Sequence, residues 1–218
     1  MSALRSMCCA AAVLLLAALT VGPATADNRP WFAAQVGNAT QVISVVGVGG
    51  SEAKMDVWQR GAAGWQPVAA AIPAQIGSAG MSPNIYEGSM MTPMGVFTLN
   101  SAFGTKANPG TALPYVQVGS NHWWSGDVNS PTYNSMQVCS SDACDFDTGP
   151  PSENLDIPEY GHAVVMGVNS QRAPGKGSAF FLHESGDGPT AGCVAIDANT
   201  LTRILQWLRP GAVIAIAK

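Results

Sequence analysis

Cys193 and His183 are the one cysteine and histidine close enough along the chain to act as a single reactive pair. A thiol is a weak nucleophile until it is deprotonated, and with a free pKa near ~8.5 little of it is thiolate at neutral pH. A neighbouring imidazole that takes the proton turns such a thiol into an acyl-transfer nucleophile. That chemistry requires folding to bring the sulfur within hydrogen-bonding range of a ring nitrogen. Gly192, directly before the cysteine, lets the backbone approach a bound carbonyl, and the amides of Gly192 and Cys193 are then candidate donors to an oxyanion. Ser185, two residues past His183, is a candidate to hold the imidazole tautomer, a task a backbone carbonyl performs equally well. The competing reading is a buried small apolar Cys193 beside a hydrogen-bonded strand-end histidine.

The elements that must position this pair are legible around it. Ala179-Phe180-Phe181-Leu182 is an apolar run ending at His183, a turn-rich linker follows with Gly186, Gly188 and Pro189, and Val194-Ala195-Ile196 begins a second run just after Cys193. This reads as strand, loop, strand. Further strands are expected over 41–48, 53–59, 65–72 (interrupted at Pro67 and so at an edge), 96–99, 115–118, 163–168 and 213–217. One helix is predicted: Asp197 caps it, Leu201, Ile204, Leu205 and Leu208 recur at helical spacing, and Pro210-Gly211 stops it. Residues 77–91 read as a loop, and residues 128–161 as a long Ser-, Asp- and Pro-rich insertion, the kind of segment that often forms a lid.

Bulk properties narrow the class. The 218 residues hold 10 Lys and Arg against 14 Asp and Glu, with 24 Gly and 15 Pro. Low charge density with many turn residues predicts a mainly β domain, a sandwich or barrel with one helix near the C-terminus. No basic cluster is present to bind nucleic acid. Residues 1–26 have the form of a secretory signal peptide: Arg5, an apolar stretch from Ala10 to Leu19, and Ala24-Thr25-Ala26 before Asp27. Cleavage there leaves residues 27–218 as one exported domain, destined for the periplasm, cell wall or medium, without a membrane span and expected to be a monomer. Of five cysteines, Cys8 and Cys9 lie in the leader. Cys139 and Cys144 close a short disulfide loop in an oxidising compartment, which leaves Cys193 unpaired. Zinc on these cysteines would need ligand spacings the chain lacks, so no metal is expected.

Thr190-Ala191-Gly192-Cys193-Val194, after a strand ending in His183, resembles the signature of the YkuD-type L,D-transpeptidases, cysteine enzymes that cross-link bacterial peptidoglycan. Thr92-Pro93-Met94-Gly95-Val96-Phe97 is similar to that family's T-P-x-G-x-F segment, and Tyr160-Gly161-His162-Ala163-Val164-Val165 to the strand before its active-site pair. The resemblance spans about residues 40 to 218. It implies an L,D-transpeptidase catalytic domain over 27–218 that acts on peptidoglycan stem peptides through a thioester on Cys193, with His183 as base and no cofactor. His162, Thr190 and Tyr160 become candidates for substrate contact. Trp124, one of the paired indoles Trp123-Trp124, is a candidate wall for a peptide or sugar. Three positions depart from the family: Ala191 and Ala195 stand where larger polar or basic side chains are common, and Glu184 follows His183 in place of glycine. An L,D-carboxypeptidase or other cysteine acyl hydrolase, and a non-catalytic wall-binding module, are the alternatives.

Overall fold

The first strands of the described residues are the Val-, Ile- and Met-bearing β1 (Gln41–Gly49) and β2 (Glu52–Gly61) and the Ala- and Pro-rich, largely exposed β3 (Gly64–Gln75). The computed structural model describes residues 29–218, and the expected leader lies outside them. In β2 the alternation sorts the faces, with Ala53, Met55 and Val57 buried and Glu52 and Lys54 exposed. In β1 both faces are buried: Ile43 and Val45 join the main core, while Val42, together with Ala215 from the neighbouring C-terminal strand, packs with Phe32 and Val36 of the preceding turns. The short pair β4 (Met81–Ser82) and β5 (Thr92–Pro93) follows, then the long β6 (Gly95–Gly104) and β7 (Tyr115–Gln117).

The segment 128–161, expected to be one long insertion, carries two short strands and a turn that join a strand just before it. Strands β8 (His122–Ser125), β9 (Ser135–Val138) and β10 (Glu153–Asn154) form a small antiparallel sheet, and a 3-10 turn occupies Pro158–Tyr160. The Cys139–Cys144 disulfide is formed. The chain then returns to the main sheet through β11 (Ala163–Met166), β12 (Phe181–Glu184), β13 (Val194–Ile196), helix α1 (Ala198–Trp207) and β14 (Val213–Ala217).

The main sheet runs β11-β12-β13-β3-β2-β1-β14-β6-β7, and an additional pairing of β11 with β6 closes it into a barrel. Closure fills the interior with Ile43, Met55, Leu99, Leu182, Val194, Ile196, Leu205 and Ile214 among others. Among the described residues the architecture is mainly β with one α-helix near the C-terminus, as expected. Helix α1 starts where the sequence predicts, with the Asp197 carboxylate accepting from the Thr200 amide at 2.9 Å, and it buries Leu201, Ile204 and Leu205. Strand β3 lies between β2 and β13, yet only Gln75 at its end pairs with Ala195. Pro67 therefore sits on a stretch with one neighbour, where its missing N–H costs no ladder bond.

A second, smaller core lies outside the barrel wall. Phe103, Trp124, Leu155, Tyr160, Phe181 and Cys193 pack between β12 and the layer formed by β8, β10 and the 3-10 turn. The candidate thiol belongs to this second layer.

Candidate active site

Strands β12 and β13 run parallel, with Leu182 opposite Val194 and His183 opposite Ala195. Successive residues of a strand point to opposite faces, so Leu182 and Val194 enter the barrel while His183, Phe181, Cys193 and Ala195 share the other face. The base and the thiol are thus diagonal neighbours on one surface. Ala195 directly beside His183 leaves the imidazole an open flank, and both residues line a cavity of about 210 Å³ together with Tyr160, Thr190, Ala191 and Cys193. Cys193, Ala191 and Glu153 also line a second cavity of about 340 Å³, walled by Glu87, Met90, Pro151, Ala179 and Phe180. Cys193 stands between the two.

In the resting site no hydrogen bond joins Cys193 to His183. The sulfur donates to the Ala179 carbonyl and accepts from the Phe181 amide, each at 3.3 Å. The residue is 6% exposed. Burial, with the nearby Glu153 carboxylate adding to it, pushes the thiol well above the ordinary cysteine range, so sulfur rests as S–H. His183 is buried too, and desolvation lowers its pKa, keeping the ring neutral and basic at pH 7. Its Nδ1 donates to the Glu184 carbonyl at 2.8 Å. Since a carbonyl can only accept, the proton is fixed on Nδ1 and the lone pair on Nε2.

The loop before the cysteine is held by two threonines. Thr190 Oγ1 donates to the Cys193 carbonyl at 2.7 Å and accepts from the Gly192 amide at 3.1 Å. Thr92, fully buried, donates to the same carbonyl at 3.3 Å and accepts from the Gly77 amide at 2.8 Å. The Thr-Pro segment of β5 therefore braces the cysteine loop from behind. Gly192 has φ +148, and a Cβ there would sit 2.7 Å from Phe180 and 2.9 Å from the Met91 carbonyl, so the position accepts no side chain without movement.

The other residues singled out by sequence divide in two. Tyr160 is in the site: its ring meets those of His183 and Phe181 edge-on at 5.3 and 5.5 Å. Ser185 is exposed and makes no hydrogen bond to His183, and the carbonyl of Glu184 does the orienting instead. The Gly192 N–H is taken by Thr190 in this state. Trp124 is buried against Phe181 at 5.0 Å, its Nε1 donating to Asn134, and it lines neither cavity. His162 points away from the thiol into a charged cluster, where its Nδ1 lies 2.9 Å from Glu184 Oε1 and Lys106 Nζ holds both Glu184 oxygens at 3.0 and 2.9 Å. Gly161 lets that carboxylate in: a Cβ there would meet Glu184 Oε2 at 2.5 Å. Glu184, where the family usually has glycine, is accommodated by this cluster.

Sequence reasoning missed Glu153. It lines both cavities and accepts from the Tyr160 hydroxyl at 2.5 Å. Burial and the charge of Glu87 raise its pKa, while the bond from Tyr160 opposes them. No local pattern marks a lone glutamate in Pro-Ser-Glu-Asn, because only the pairing of β10 with β8 carries it to the thiol.

Among the described residues no group of three or more His, Cys, Asp or Glu is placed to hold a metal ion, and no helix is long and apolar enough to cross a membrane. The YkuD family model, described as the L,D-transpeptidase catalytic domain, matches residues 48–216. No curated protein matches the chain. Among solved structures, the crystal structure of Mycobacterium tuberculosis L,D-transpeptidase 1 is similar at 11% identity with a TM-score of 0.39. The alignment covers 83% of this chain and 62% of that one.

Proposed function

The chain belongs to the L,D-transpeptidase catalytic domain family, and from that membership we propose that it is an exported peptidoglycan L,D-transpeptidase working through a thioester on Cys193. The observation that carries the proposal is the placement of Cys193 between two cavities, one of which it shares with a neutral histidine whose Nε2 is left free to accept.

A tetrapeptide stem binds with the carbonyl at the L-centre of its diaminopimelate residue against the sulfur. Binding displaces the thiol from the Ala179 carbonyl and closes the gap to His183, as catalytic hydrogen bonds commonly tighten only in the substrate complex. His183 takes the thiol proton, sulfur attacks the carbonyl carbon, and the Phe181 N–H remains to stabilise the developing thiolate. The imidazolium returns its proton to the departing amine of D-Ala. A thioester remains, and an amine of a neighbouring stem resolves it into a cross-link, while water would give carboxypeptidase action.

Residues 27–218 act as the catalytic domain in this reading, and the leader over 1–26 directs export. The burial of Cys193 favours a second reading, a wall-binding module with an inert thiol. A carbapenem separates them: the enzyme reading expects a covalent mass increase of the protein that Cys193→Ala abolishes, and an unmodified mass with the wild-type chain supports the module.

A further inference from the structure

The reaction above uses none of the carboxyls that line the two cavities, of which Glu87 and Glu153 lie in the larger one. Glu87 is already engaged, accepting from the Tyr133 hydroxyl at 2.5 Å and from Ser178 at 3.1 Å. Glu153 is different: it is half-buried, it sits at the boundary of both cavities with Cys193, and its one side-chain partner is the Tyr160 hydroxyl. Tyr160 in turn stacks edge-on to His183. The larger cavity is mostly apolar, and its lining holds two carboxylates and no Lys, Arg or His.

We propose that Glu153 is the base of the second half-reaction, taking the proton from the primary amine that attacks the Cys193 thioester, and that this amine enters through the larger cavity. The inference rests on the acyl-enzyme reading and assigns its second step. A base is needed on the nitrogen's side of the thioester, and His183 lines only the smaller cavity, whereas Glu153 lines the larger one as well. Two carboxylates without a counter-charge attract an ammonium group, which leaves one proton with bulk water at the cavity mouth and goes on as the free amine, and the apolar walls disfavour free water beyond that point. The raised basicity of Glu153 matches the task. The amine nitrogen forms the C–N bond, its proton passes to Glu153, and the C–S bond breaks with its electron pair on sulfur. The proton then returns from Glu153 to the thiolate, so thiol and carboxylate are both restored without a co-reactant.

The test follows each half-reaction separately in wild type and Glu153→Gln, with a disaccharide tetrapeptide as donor and glycinamide as amine. Gln keeps an acceptor for the Tyr160 hydroxyl, and thermal unfolding checks that the variant is folded. Glu153→Gln is expected to release D-Ala in a burst and accumulate the acyl-enzyme mass, while amide product falls about 100-fold or more relative to acyl-enzyme formation. The wild-type amide rate should fall in acid along a limb that Glu153→Gln lacks. Glu87, Glu159, Asp187, Tyr160 and His183 share the two cavities with Glu153, so the limb is assigned by that disappearance. Glu153→Asp should regain part of the rate. Unchanged amide formation in Glu153→Gln, or a folded Glu153→Gln that forms no acyl-enzyme, overturns the inference. A wild-type protein that neither releases D-Ala nor gains the acyl mass refutes the thioester reading itself.

Discussion

Replacing Gly192 by alanine tests whether the loop before the thiol is as tightly determined as its contacts indicate. The residue has φ +148, and the added Cβ would lie 2.7 Å from a Phe180 ring carbon and 2.9 Å from the Met91 carbonyl oxygen. The ring can pivot, but the carbonyl belongs to backbone that leads directly into Thr92, which holds Cys193. Relief must therefore come from the cysteine loop. Strain at a positive φ and overpacking of this size together cost on the order of 3 kcal/mol. For a domain of this length that lowers the melting temperature by roughly 6–12 °C. Relief by movement also carries the sulfur away from its carbonyl and amide partners, and a displacement near 1 Å costs roughly 100-fold in rate. Thermal unfolding and carbapenem acylation followed by intact mass read the two effects. Gly119→Ala is the control, since a Cβ added there would meet nothing within 4 Å and its backbone is ordinary. A Gly192→Ala protein that melts and acylates like the parent would refute the packing argument.

Three further outcomes are expected. Because burial depresses His183, the unfolded chain binds its proton near pH ~6.5 while the folded chain does not. Stability from this group is therefore lost as pH falls below about 6.5, levelling off beneath the folded pKa, and urea midpoints between pH 5 and 7 should lose that slope in His183→Gln. The raised thiol predicts that iodoacetamide at pH 8 alkylates Cys193 about 100-fold more slowly in the folded protein than in urea, and equal rates would contradict its burial. Glu184→Ala strips Lys106 and His162 of their shared carboxylate and should cost about 3 kcal/mol in denaturant unfolding, a loss that would be absent if the cluster were merely a surface pair.

Legibility followed burial and regularity. The strands 194–196 and 213–217 and the cap at Asp197 stand out because apolar runs are bounded there by turn residues, and the structure keeps those limits. The Cys-His strand-loop-strand was readable for the same reason. The small sheet that pairs 122–125 with two stretches inside 128–161 was not, since strands of two to four residues are too short to show a period and owe their existence to pairing across distant sequence. Trp124 illustrates a second limit: a Trp-Trp pair alternates faces, and which indole is buried depends on the layer that lands on it. The orienting group of His183 was ambiguous because a carbonyl has no residue identity. Glu153 was invisible because its role arises from neighbours about 7 and 40 residues away, Tyr160 and Cys193.

Incubation of the protein with disaccharide tetrapeptide, followed by separation and mass analysis of the products, addresses the central claim directly. The account predicts a cross-linked dimer with D-Ala released in equal amount, and neither product from Cys193→Ala. Monomer left intact by the wild-type chain, or dimer formed equally well by Cys193→Ala, would contradict it.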